Sequence, residues 1–113
     1  MGAAPSEFDA QRKLKLPSLS THVLDAAEGG PRSGVAVEVA DGSGVVVATG
    51  TTDEQGRIGD LATSLAVGSY RIRWAVGGSF LAEVSAHVVL DHDRHYHVPL
   101  LASGVSAMVY LGA

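Results

Sequence analysis

The sequence predicts an all-β fold, an antiparallel sandwich of about seven or eight short strands. Several stretches alternate apolar with polar or small residues, the period of a strand that buries one face. Gly- and Asp-rich turn signals separate these stretches at short spacing. Nowhere does a 3.6-residue apolar period persist long enough to make a convincing helix.

The first strand is read in SLSTHVL, ending at Asp25. The Gly- and Pro-containing stretch Ala27–Gly34 follows as a loop. In Gly34–Ala40, Val35, Val37 and Val39 share one face, with Ala36, Glu38 and Ala40 opposite. Asp41-Gly42 signals a turn, and Gly44–Gly50 reads as the next strand. The polar run Thr51–Asp60 predicts a tight turn at Gln55-Gly56 and then a very short strand. Ala62–Gly68 reads as either one weak helical turn or an extended connection. Tyr70–Val76 alternates again, placing Tyr70, Ile72, Trp74 and Val76 on one face. Gly77-Gly78 suits a hairpin turn, where both positions tolerate positive φ. Leu81–Leu90, Arg94–Leu101 and Val105–Leu111 complete the strands. Pro99 cannot donate to a ladder, which predicts an edge position or a bulge.

A chain of 113 residues forms one domain. Residues 1–17 read as a flexible leader with little apolar surface to bury, and 18–113 as the folded domain. With 46% hydrophobic and only 5% aromatic residues, the core is expected to be Val, Leu and Ala. A net charge of −4 and the absence of any basic stripe argue against nucleic acid as a partner. Arg12, Lys13 and Lys15 make a solvated cluster in the leader. No apolar run approaches the ~20 residues of a membrane span, and charges interrupt the segment where a secretory signal would need an apolar run. The lack of cysteine excludes disulfides and thiolate metal sites, consistent with the cytosol. No nucleophile elbow, phosphate loop or paired-carboxylate signature is present.

The polar chemistry concentrates in His22, Arg57 and the pair His95 and His97. On a strand the last two point to one face with Pro99, while Tyr96, Val98 and Leu100 point to the other. That spacing suits two ligands of a metal, with His92 near, or two histidines packed against neighbours. A zinc site also wants three or four ligands with partners behind them, and no carboxylate sits at ligand spacing on this strand. From the residues alone both readings stay open.

Three segments together go further. Ser20-Thr21-His22-Val23-Leu24-Asp25, Thr52-Asp53-Glu54-Gln55-Gly56-Arg57 and His95-Tyr96-His97-Val98-Pro99-Leu100-Leu101 occur in this order. They resemble the 5-hydroxyisourate hydrolase family, transthyretin-like enzymes of purine breakdown. The resemblance covers about residues 18 to 113. It implies a transthyretin-like two-sheet sandwich whose edge strands pair into dimers, two dimers forming a homotetramer with active sites at their interface. The implied activity is hydrolytic opening of the hydroxyisourate ring, a purine-derived small molecule, in the cytoplasm or peroxisome, with no metal or organic cofactor. Carried over by position, His22, Arg57 and His97 are the catalytic residues. An imidazole near neutrality can take a proton from water, and a guanidinium can stabilise the negative charge that addition creates.

The family ends in Tyr-Arg-Gly-Ser, residues that line the active site. Here those positions read Tyr110-Leu111-Gly112-Ala113, so Tyr110 and Ala113 are the substrate-binding candidates and the arginine is replaced by Leu111. The connection Val76–Val84 is also too short for the helix most members carry, and Ser103–Ser106 lacks the usual proline and aromatic. These departures keep open an alternative, a catalytically impaired or repurposed transthyretin-like protein that binds a small ligand.

Overall fold

The computed structural model describes residues 16–112, and within them the chain is all β. The expected leader, apart from Leu16 and Pro17, lies outside the described residues, as does Ala113. The strands are β1 (Ser18–Asp25), β2 (Gly30–Pro31), β3 (Ala36–Asp41), β4 (Val46–Thr51), β5 (Arg57–Ala62), β6 (Gly68–Ala75), β7 (Val84–Leu90), β8 (His95–Ala102) and β9 (Ala107–Val109). These nine exceed the expected seven or eight because Gly30–Pro31, read as loop, pairs with Leu24 and Asp25. Two residues are too few to leave a periodic signal. Ala62–Gly68 resolves as an extended connection.

The strands form two sheets. One runs β4-β3-β6-β7, and the other runs β2-β1-β8-β9, with β5 sharing the β2 edge of β1. Six of the seven ladders among the described residues are antiparallel, and β1–β8 is parallel. That exception brings residues 77 apart in sequence side by side.

The predicted inward faces meet between the sheets. Leu19, Val23, Val39, Ile72, Trp74 and Leu100 have no exposed surface. Trp74 carries a polar N–H into this core, where burial without a partner costs about 1–3 kcal/mol. It donates to Thr21 Oγ1 at 3.1 Å across the sheets, and the Thr21 hydroxyl donates to the Val98 carbonyl at 2.7 Å. No side-chain N or O is left buried without a partner among the described residues. On the outward face of the other sheet, Glu38 stands opposite Arg73, which pairs with it at 2.7 Å and with Glu83 at 3.1 Å.

Two expectations, one for a turn and one for a strand, are corrected. The β6–β7 hairpin tips at Ser79-Phe80, because Gly77 N–H donates to the Ala82 carbonyl and Gly78 N–H to that of Leu81. Of the two glycines only Gly77 has positive φ, at 71°. Pro99, for its part, lies on an interior strand between β1 and β9. Its carbonyl, and so its missing N–H, faces the C-terminal segment just past Leu100↔Val109, the last β8–β9 pair. The proline thus sits just past the last β8–β9 ladder pair, where the C-terminal segment stays attached by donating to the Pro99 and His97 carbonyls and takes no bond from a Pro99 N–H. No helix among the described residues is long and apolar enough to cross a membrane.

Candidate functional site

The site is built on the outer face of the β1 sheet. Leu19, Thr21 and Val23 of β1 are buried, so Ser18, Ser20 and His22 project to the opposite face. On β8, buried Tyr96, Val98 and Leu100 likewise turn His95, His97 and Pro99 outward. The parallel register sets Ser18 beside His95, Ser20 beside His97 and His22 beside Pro99. On the other edge of β1, Arg57 of β5 stands directly opposite His22. Arg57, His22 and His97 therefore form a band on one face of three adjacent strands, Arg57 level with His22 and His97 on the diagonal, two residues before the Pro99 that pairs with His22.

The turn before β5 aims two of these residues. The Asp53 carboxylate accepts from the N–H of Gln55 at 2.8 Å and of Arg57 at 2.9 Å. These two donors, Arg57 first, hold its pKa below the ordinary 3.8. Gly56 closes the turn at φ 77°, and a Cβ there would lie 2.4 Å from the Val23 carbonyl, so only glycine fits. The next carbonyl back, that of Gln55, lies 2.9 Å from His22 Nε2. A carbonyl only accepts, so Nε2 carries a proton and neutral His22 presents a bare Nδ1. Arg57 is exposed, and its guanidinium makes no hydrogen bond or ion pair among the described residues.

His97 is half-buried. Its Nδ1 lies 2.7 Å from Ser20 Oγ. Burial, then the positive potential of His22, His95 and Arg57, pushes its pKa below 6.5. Near neutral pH it is an uncharged imidazole, the state a general base requires. The C-terminal segment runs past it, with Gly112 N–H donating to the His97 carbonyl at 2.7 Å. A Cβ on Gly112 would stand 2.8 Å from the His97 ring carbon Cδ2.

The fold thus brings together the three predicted catalytic residues. Tyr110 reaches the same strand through its backbone N–H, 3.4 Å from the Pro99 carbonyl. Its side chain, 46% exposed, lines an apolar groove of about 340 Å³ with Ala86, Val88 and Val98 at the open edge between the sheets. Ala113 lies outside the described residues. Both ring nitrogens of His95 are engaged by serine hydroxyls, from Ser18 at 2.6 Å and Ser20 at 2.8 Å. Among the described residues no three His, Asp or Glu side chains gather as a metal site. Sequence reasoning missed Ser18, Ser20 and Gly112. The matched spacing of Ser-x-Ser and His-x-His is their signal, visible once β1 is known to pair with β8 in parallel.

A profile of the HIUase/Transthyretin family matches residues 19–112. The 5-hydroxyisourate hydrolase of Caulobacter vibrioides is 36% identical, covering 87% of this chain and all of that one. The structure of Klebsiella pneumoniae 5-hydroxyisourate hydrolase superposes with a TM-score of 0.77 at 29% identity, covering 85% of this chain and 98% of that one. Sea bream transthyretin in complex with thyroxine gives a TM-score of 0.75 at 27% identity, over 85% and 95% of the two chains. Matched by the family profile from its first strand to its last described residue, the chain belongs to the HIUase/Transthyretin family.

Proposed function

We propose that the protein is a hydrolase that opens the ring of 5-hydroxyisourate, cleaving a cyclic C–N bond in urate degradation. The observation that carries this reading is the band Arg57–His22–His97 on one face of three adjacent strands. Relatives that share the fold and much of the sequence bear that activity in their names.

The residues divide the work by their chemistry. His97, held neutral, takes a proton from the attacking water as its oxygen bonds to the ring carbonyl carbon. Negative charge gathers on the carbonyl oxygen, and the exposed Arg57 guanidinium stabilises it. His22, its ring fixed by the Gln55 carbonyl, accepts a hydrogen bond at Nδ1 from water or substrate and orients it. The C–N bond then breaks, and the ring nitrogen takes the proton that His97 removed. No cofactor enters this scheme.

Arg57 and His95 are exposed on the single chain, so this site stays wet unless another subunit covers it. The assembly that fits is a homotetramer of two edge-paired dimers, working in the cytoplasm. The test generates 5-hydroxyisourate from urate and follows its ultraviolet decay. Decay faster with protein than without is expected; an unchanged rate contradicts the reading.

A second reading has its own observation. Leu111, 58% exposed, stands where the resemblance puts an arginine, and the thyroxine complex of sea bream transthyretin shares the fold. A small-ligand carrier without turnover would follow. It predicts calorimetric binding of a planar ligand by a protein that leaves the decay rate unchanged, and Leu111→Arg then gains no activity.

A further inference from the structure

We propose that Ser20 and His95 are positioning residues that pass protons to and from His97 along an unbroken chain, Ser18–His95–Ser20–His97. The proposal rests on the reading of His97 as the base and adds the route its proton takes.

The links run from Ser18 Oγ to His95 Nδ1 at 2.6 Å, from His95 Nε2 to Ser20 Oγ at 2.8 Å, and from Ser20 Oγ to His97 Nδ1 at 2.7 Å. All are short enough for strong hydrogen bonds between hydroxyl and imidazole. The parallel register creates the chain, because it sets two serines two residues apart against two histidines two residues apart on one face. Ser20, the middle link, is only 7% exposed, so water does not compete freely for its hydroxyl.

Ser20 Oγ owns one proton and lies between two ring nitrogens. Donating to one, it accepts from the other, so His95 Nε2 and His97 Nδ1 carry opposite protonation. The chain therefore has two polarities. In one, His97 is protonated at Nδ1 and offers a bare Nε2, the base. In the other, its Nε2 carries the proton, and His97 is the acid.

Water attack converts the first polarity into the second. The water proton goes to His97 Nε2, and the Nδ1 proton goes to Ser20 Oγ. Ser20 passes its own proton to His95 Nε2, and the His95 Nδ1 proton goes to Ser18 Oγ, whose proton leaves to solvent. One proton enters, one leaves, and all four groups stay neutral. When the C–N bond breaks, the Nε2 proton goes to the departing nitrogen and a solvent proton restores the chain in reverse.

Neutrality is what the surroundings of His97 demand. His22 faces it from β1, Arg57 from β5 and His95 along its own strand, while the C-terminal segment meets it through Gly112, which has no titratable side chain. An imidazolium there would be half-buried and within the field of the Arg57 guanidinium. The outer end of the chain is suited to exchange, since Ser18 and exposed His95 open onto a cleft of about 420 Å³ lined also by Asp60 and Asp93.

Imidazole nitrogen NMR on the resting wild-type protein tests the chain without substrate. The expected spectra show opposite protonation at the two Ser20-facing nitrogens and interdependent titration of His95 and His97, lost in Ser20→Ala. In the decay assay Ser20→Ala and His95→Phe should lower kcat about tenfold to a hundredfold with KM little changed, and Ser20→Thr, which keeps the hydroxyl, should recover most of it. Independent titration in an active enzyme, or full kcat in both variants, overturns the relay alone. A wild-type protein with no activity overturns the functional reading itself.

Discussion

Arg57 is the residue whose removal bears most simply on the chemistry, since its guanidinium makes no hydrogen bond or ion pair among the described residues. Arg57→Ala should leave thermal stability within about 0.5 kcal/mol. It should lower kcat/KM by about 10²–10³; an unchanged kcat/KM in the decay assay would show that the charge is handled elsewhere. His97 makes a prediction about pH. Its folded pKa is depressed, so the fold binds fewer protons than the unfolded chain below 6.5. The stability it contributes is present above 6.5 and is lost as pH falls through the lower folded value. Urea titrations should therefore show wild type losing more stability between about pH 7 and 5 than His97→Gln, and equal losses would contradict the depressed pKa. The acid limb of kcat/KM should lie below 6.5 as well. His22, Arg57 and His97 were legible in sequence because each sits in a distinctive motif. The roles of Ser20 and His95 were not, because they depend on which strand lies beside β1, and no local pattern encodes a parallel partner 77 residues away.

At the level of elements, three segments fix the site: the Asp53–Arg57 turn, the β1–β8 ladder and the C-terminal strand extension. The last offers a test that separates fold from function. Gly112→Ala would push a Cβ to 2.8 Å from His97 Cδ2. The segment lies past β9, tied to β8 by the backbone bonds of Tyr110 and Gly112, and can yield, so melting should fall by only a few degrees, about 1 kcal/mol. Turnover should fall about tenfold or more as the imidazole is displaced, and unchanged kcat would show that the contact does not hold the ring. Strands with one buried face, such as Tyr70–Val76, were readable from their alternation. The Gly77-Gly78 turn was misplaced because glycine pairs signal flexibility without fixing the tip, and here two further residue pairs zip beyond β6. Pro99 misled in the same way. Its missing donor excludes a ladder bond on one side only, and on that side the C-terminal segment past β9 binds β8 through its own N–H groups.

At the scale of the whole molecule, β7 and β9 are edge strands among the described residues, with Val89, Met108 and Leu111 near them exposed by 62%, 54% and 58%. Edges of this kind invite pairing with another chain. Sedimentation at micromolar concentration should find a four-chain particle, and a stable monomer that turns over substrate would contradict the shared-site arrangement. The sandwich class followed from composition and turn spacing, whereas the topology that makes the site did not, since sheet order is a property of the assembled core. The central claim is that the band Arg57–His22–His97 hydrolyses 5-hydroxyisourate. It is tested most directly by following the decay of freshly generated 5-hydroxyisourate with wild type and with His97→Ala, both confirmed folded, at equal concentration. Wild type should accelerate decay well above the spontaneous rate and His97→Ala should lose at least about 10² of that acceleration. Equal rates for the two proteins would contradict the account.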